Sequence, residues 1–314
     1  MKGFRRFILL LAIAAAIPLT AYGQAALIPV GQAVGLVLGG NTLTVAALED
    51  FQKNKGLQVG DILLEIDGTA VSSPEEISRA MEKAGDRVCL TIRRDGENKT
   101  VSLTPQTTAA GKRLGIVLRQ GIAGIGTVTW YDPENGEFAA LGHGISAPGG
   151  GLAACTDGNA FPGKIMSVQR GRCGTPGQLK GTAESQLPLG TLTRNTPQGV
   201  FGKADIPFSG ESVPVGQPAT GKAEILATVS GTTPRSYCVE ILKIYPDTRR
   251  DGRNLLLKVT DPDLLEQTGG IVQGMSGSPI LQNGCLVGAV THVLINNPAV
   301  GYGIAIENML EAAR

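Results

Sequence analysis

The chain has 314 residues, a formal net charge of +1, and 42% hydrophobic against 18% charged residues. That balance excludes a disordered chain and gives no chain-wide electrostatic case for a nucleic-acid partner. The 44 glycines and 18 prolines follow no three-residue period, which excludes collagen and favours many short strands joined by tight turns.

The length suits about two domains of roughly 150 residues each. Only His143 and His292 are histidines, so a multi-histidine metal site is not expected, and no cofactor is expected either. Lys2, Arg5 and Arg6 precede an apolar run at residues 7–17, and Ala21-Tyr22-Gly23 offers small residues at a cleavage spacing. Residues 1–23 therefore read as an export signal, with an uncleaved short membrane anchor as the competing reading. The run is shorter than the ~20 residues a spanning helix needs, and membrane contact is expected only through this segment. Export permits disulfides. Five cysteines leave at least one unpaired within the chain, and Cys155 with Cys173, in one Gly/Pro-rich stretch, is the expected pair. No C-x-x-C is present, so neither zinc nor redox chemistry is indicated.

Residues 27–106 read as a small β-rich domain. Gly35 opens an apolar strand through Leu36, Val37 and Leu38. The stretch GLQVGDILLEI at 56–66 ends in a buried strand, and Asp67-Gly68 is a hairpin turn. Ser72-Ser73-Pro74-Glu75-Glu76 combines a serine cap, an early proline and early acids, and opens a helix to about Lys83. Strands follow at residues 88–93 and 100–103. This order resembles a PDZ domain of the bacterial protease-associated type. The resemblance implies peptide binding as an added strand, with Gly35, Leu36, Val37 and Leu38 as the carboxylate loop. Self-association through this domain is a possible use of it; packing on a neighbour without peptide binding is the competing reading. Residues 107–112 are small and polar and are expected to be a linker.

Residues 113–314 read as strands and turns. A strand at 126–130, a turn at 132–136 and a returning strand deliver Gly142-His143-Gly144. Further on, GMSGSP at 274–279 resembles the nucleophile loop of chymotrypsin-like peptidases. Gly274 lets the backbone aim the N–H groups of Gly274 and Ser276 at one point, an oxyanion hole. Serine needs a base to take its proton, and His143 is the available one. Ser278 is the rival nucleophile. His292 is the rival base, but it lies in the apolar strand through Ala289, Val290 and Thr291, which is expected to border the cleft and pair with substrate backbone. The carboxylate is open among Asp157, Asp205, Asp247, Asp251, Asp261 and Asp263. Asp261 leads because it follows the strand at 255–260, and a strand end projects reliably into a cleft.

Residues 254–309, with FAALGHGIS and GTPG upstream, resemble the stage IV sporulation protein B family of serine peptidases. The order of signal or anchor, PDZ domain and peptidase matches as well. The resemblance implies a triad of Ser276, His143 and Asp261 on a mainly β fold, a PDZ domain followed by a chymotrypsin-like double β-barrel. It also implies a signalling endopeptidase exported to the space between the two membranes around a forming endospore. There it cleaves a membrane-tethered regulator of an intramembrane metalloprotease, which activates a late mother-cell transcription factor, and it also cleaves itself. Two alternatives stand beside it. One is a general envelope quality-control protease, in which the peptidase precedes the PDZ domain. The other is a PDZ scaffold with an inactive peptidase-like domain, against which intact Ser276 and His143 speak. The side-chain pocket is expected near residues 269–273 and 289–292, where no Lys-selecting or Arg-selecting acid occurs.

Overall fold

The computed structural model describes residues 26–53, 55–94, 96–109, 111–147, 151–155, 158–185, 187–246 and 251–314. Residues 1–23, read from the sequence as an export signal or short anchor, lie outside them, as do Asp157 and Asp247. No described helix is long and apolar enough to cross a membrane.

Strand alternation builds two barrels. In Arg235–Ile244 the side chains of Tyr237, Val239 and Ile241 point inward, and in Leu255–Val259 those of Leu255, Leu257 and Val259 do the same. These strands close a barrel in the order Gly221–Ala227, Arg235–Ile244, Leu255–Val259, Asn297–Ala305, Cys285–Leu294, Pro279–Gln282. An earlier ring runs Ala33–Leu48, Ile116–Tyr131, Glu137–Ala140, Gly199–Ala204, Gly190–Thr196, Gly158–Gln169, and returns to Ala33–Leu48. Leu36, Leu38, Val128, Phe138 and Val200 fill it. Between the barrels, Trp130 and Phe201 pack with Ala289, Ile304 and Met309. Met309 comes from the closing helix Ile306–Ala313. The mainly β double-barrel architecture expected from the sequence is therefore present.

The PDZ unit is inserted into the first barrel. Two strands are shared. In Ala33–Leu48 the first half pairs with barrel strands, and residues Leu43 to Leu48 enter the PDZ unit. Its antiparallel neighbour Ile116–Tyr131 carries the chain back, with Leu48 opposite Ile116 and Leu36 opposite Gly124. Leu43, Ile66, Met81, Leu90, Leu103 and Leu114 form a separate core. Residues 26–38 thus belong to the peptidase fold, which corrects the boundary expected at residue 27. Residues 107–112 are not a linker, because the short strands Gln106–Thr108 and Gly111–Arg113 pair there.

Within the PDZ unit the local signals act as expected. The Asp67-Gly68 turn has φ of 48° and 75°, which matches the twist of the strands it joins. The helix Pro74–Glu82 is capped by Ser73, whose hydroxyl accepts from the Glu76 N–H. Glu76 reaches back to accept from the N–H and hydroxyl of Ser72. Those hydrogen bonds hold the Glu76 carboxyl below the usual carboxylate range. Asp61 is 1% exposed and takes both nitrogens of the Arg94 fork at 2.6 Å.

Two sequence expectations fail here. Gly35, Leu36, Val37 and Leu38 are not a carboxylate loop, because both edges of their strand are occupied. Gly35 faces Phe161 and Ile125, and Val37 faces Asn159 and Ala123. A peptide cannot be added where two protein strands already hold the ladder. No disulfide joins Cys155 to Cys173, and Cys173 is an exposed free thiol.

Candidate active site

The strand Glu137–Ala140 ends in two left-handed residues, Leu141 at φ 71° and Gly142 at φ 67°. A left-handed leucine is an uncommon conformation, held here by the burial of its side chain. The turn brings His143 to the face between the barrels. Ser276 reaches that face from the second barrel, on the loop before Pro279–Gln282. Thr127 ties the loop to the first barrel, its N–H donating to Ser276 O and its hydroxyl to Gly274 O, both at 2.9 Å. Gly277 has φ of 95°, and a Cβ there would lie 2.0 Å from Thr127 O. Only glycine lets the loop approach this closely.

Ser276, His143 and His292 line one cavity of about 740 Å³. Its other walls are largely apolar, among them Leu36, Ile125, Leu141, Val272 and Val293. Among the described residues, Asp251 is the only charged side chain in the lining. In the Ser276 loop, Met275, Gly277 and Ser278 donate their N–H groups to the carbonyls of Val272, Val290 and Met275. The N–H groups of Gly274 and Ser276 find no acceptor among the described residues, as an oxyanion hole requires.

His143 Nδ1 lies 2.9 Å from the Gly144 carbonyl. A carbonyl only accepts, so Nδ1 carries the proton and the Nε2 lone pair is available as a base. Burial pushes the imidazole pKa below its ordinary 6.5, partly opposed by that hydrogen bond, so the base is neutral at pH 7. The Ser276 hydroxyl donates to Thr291 O at 2.7 Å. A turn about its χ1 bond is therefore needed before it can hand its proton to His143. His292 packs on His143 with ring centroids 5.3 Å apart. Burial, then His143, then Arg253 push the His292 pKa down to about 4.

The sequence-predicted residues separate into those that meet and those that do not. Ser276, His143, His292, Thr291 and Gly274 share the cavity. Ala289 and Val290 do not border it: Ala289 lies between Pro279 and Ile304, and Val290 is held by Gly277, Ser278 and Gly303. Ser278 is 0% exposed and is no nucleophile. Asp261 is not beside the histidines. It is the N-cap of the helix Pro262–Thr268, with one carboxylate oxygen on Leu264 N and the other on Cys238 N. An Asp-Pro pair opening a short apolar helix is an N-cap followed by N1, and that signal was present in the sequence. Asp251, one of the carboxylates open in the sequence, does line the cavity, and Asp251-Gly252 is itself a turn signal.

Residues 110–310 match the SpoIVB peptidase S55 family. The chain belongs to that family. It is a serine peptidase, and residues 53–94 match a PDZ domain. No curated protein sequence matches the chain. Among solved structures, the PDZ domain of the SdrC-like protein Lmo2051 from Listeria monocytogenes is 24% identical, over 25% of this chain and 87% of its own, with a TM-score of 0.23. The inactive form of the Rv3671c protease is 12% identical, over 60% of this chain and 81% of its own, with a TM-score of 0.36. A serine-to-alanine mutant of Rv3671c from M. tuberculosis H37Rv, also an inactive form, is 12% identical over 60% and 79%, with a TM-score of 0.35. In this S55 peptidase the cavity has what acyl transfer needs: a serine, a neutral histidine base and two unengaged N–H donors.

Proposed function

We propose that Ser276 and His143 are the catalytic pair of an exported sporulation-signalling endopeptidase. Its substrates are a membrane-tethered regulator of an intramembrane metalloprotease and a second copy of the chain itself. The observation that carries this reading is the meeting of Ser276 and His143, from opposite barrels, in one apolar cavity. Family membership supports the biological role. Its site of action would be the space between the two membranes around the forespore.

The PDZ unit would guide recognition through a groove other than the one expected from the sequence. The helix Pro74–Glu82 faces the start of Ile116–Tyr131, and Ile77, Met81, Ile116 and Leu118 line a groove of about 410 Å³ between them. Ile116 and Leu118 pair with the Leu48 and Val45 region on one side only, so the edge toward the helix is open to an added peptide strand.

The test is mass spectrometry of the purified protein and of Ser276→Ala after incubation, alone and with a peptide library. Cleavage that depends on Ser276 and falls beside apolar residues is expected, because the cavity walls are apolar. Cleavage confined to sites after Lys or Arg, or equal cleavage by Ser276→Ala, would overturn the reading.

A further inference from the structure

The Ser276 cavity continues past its own wall. A second cavity, of about 400 Å³, shares Leu36, Gly124 and Ile125 with it. The backbone joins the two as well. Gln273 lines the first and Gln178 the second, and these residues form a parallel bridge, with the Leu179 N–H donating to Gln273 O at 2.8 Å. Three paired strands floor the second cavity: Ile125 stands opposite Gly35, and Gly35 opposite Phe161. Both edges of the Gly35 strand are taken, but its face is open. A Cβ on Gly35 or on Gly124 would meet nothing within 4 Å, and neither residue has a left-handed φ. The backbone does not require glycine at these two positions, so what glycine keeps there is room. Among the described residues, Lys164 is the only charged side chain in the lining. Its neighbour Ile165 is 3% exposed in the core of the second barrel, so strand alternation turns Lys164 the other way, toward the cavity. Lys164 is exposed and has no hydrogen-bond or ion-pair partner among the described residues. Glu184, which follows Ala183 at the same end of the hairpin, is exposed and outside the lining.

We propose that the second cavity is an extended subsite for the substrate polypeptide, and that Lys164 selects an aspartate or glutamate side chain there. The proposal rests on Ser276 and His143 being the catalytic pair.

The shared wall lets a polypeptide seated at Ser276 run on across the open strand face. Two strand spacings separate Ile125 from Phe161, about 10 Å, which roughly three extended residues span. The substrate would lie across the face of the sheet and add no strand to an edge. Along this path the floor is apolar and takes aliphatic side chains without distinguishing among them. Lys164 does distinguish. A carboxylate replaces water on an ammonium that has no acceptor in the protein, whereas a lysine or arginine meets like charge. The lining of the Ser276 cavity carries Asp251 and no lysine or arginine among the described residues, so selection of an acid belongs to the second cavity. The preference is modest because Lys164 is open to water, and an exposed ion pair is worth about 2–5-fold in kcat/KM.

The experiment is cleavage of a library of C-terminally amidated peptides by the full chain, read by mass spectrometry as relative kcat/KM for each residue at each position. Amidation leaves side chains as the only carboxylates. Aspartate and glutamate should be favoured about 2–5-fold at one position a few residues from the cut, and the preference should fade at 1 M salt, where the Debye length is ~3 Å. Lys164→Gln should abolish the preference, and Lys164→Glu should replace it with one for lysine and arginine at the same position. Gly35→Val puts a side chain into the open space and should lower the ratio of kcat/KM for long peptides to that for short ones. Melting temperatures identify unfolded variants; if Gly35→Val does not fold, Lys164→Glu carries the test. The absence of any acid-preferring position, or the same preference in Lys164→Glu, would overturn the proposal. Cleavage surviving in Ser276→Ala would instead overturn the underlying catalytic pair.

Discussion

Ser276 and Ser278 are two residues apart and have opposite surroundings. Ser276 opens to the cavity, whereas Ser278 is buried, with a hydroxyl that lacks a hydrogen-bond partner among the described residues. Ser276→Ala should keep its melting temperature and lose about 10⁶-fold in turnover, since a catalytic pair acts as a unit. Labelling by a serine-hydrolase probe should vanish with it. Ser278→Ala should keep its turnover. It should melt at the same temperature or slightly higher, because it deletes an unpaired buried hydroxyl whose desolvation costs about 1–3 kcal/mol. A probe that still labels Ser276→Ala, but not Ser278→Ala, would reverse the assignment.

The carboxylates Asp61 and Asp261 act on their elements. Asp61 fastens the strand Ile62–Ile66 to the end of Val88–Arg94, taking the Arg94 fork and the Gln58 N–H in a site where it is 1% exposed. Asp61→Ala removes the carboxylate from the Arg94 fork and the acceptor from the Gln58 N–H, and should destabilise the PDZ unit by about 2–4 kcal/mol in denaturant unfolding. Asp261→Ala removes a helix cap and an exposed hydrogen bond from the Cys238 N–H, and should cost about 1–2 kcal/mol. Equal effects from the two would contradict the difference in burial that separates them.

Shared strands tie the PDZ unit to the peptidase across the whole molecule. Ile116–Tyr131 borders the groove beside the helix Pro74–Glu82 at Ile116 and Leu118, then lines the cavity of Ser276 and His143 at Gly124 and Ile125. Leu118→Glu should slow cleavage of a protein substrate about 10-fold, through loss of roughly 1.5 kcal/mol of apolar contact. Cleavage of a short peptide should be spared; equal loss of both would show that the groove does not select substrate. The histidines give the folded state a pH dependence with a definite sign. Both have pKa values below 6.5 when folded, that of His292 being about 4, so the unfolded chain binds protons first. Their contribution is complete above pH 6.5 and is lost as the pH falls through that value toward 4. Lowered carboxylates such as Asp50 and Glu76 act at lower pH still. The melting temperature should therefore fall from pH 7 toward pH 4.5, and less steeply in His292→Asn. A flat profile would contradict the burial of the histidines.

Local chemistry was legible in the chain. Ser73-Pro74 and Glu76 make a capped helix from contacts within a few residues, Asp67-Gly68 makes its own turn, and alternation at 255–259 marks a barrel strand. The glycines of the serine loop and the scarcity of histidine, with His143 and His292 the two candidate bases, were legible for the same reason, because they are properties of the sequence itself. What the tertiary structure decided depends on partners distant in the chain. An apolar strand reads the same whether its edge is open or paired, so Gly35, Leu36, Val37 and Leu38 looked like a groove until Phe161 and Ile125 filled both sides. A strand-end aspartate reads the same whether it enters a cleft or caps a helix, and Asp261 does the second. Gly252 fits between Gly142 and Thr291, residues more than 100 apart from one another in sequence, and that fit brings Asp251 to the cavity wall.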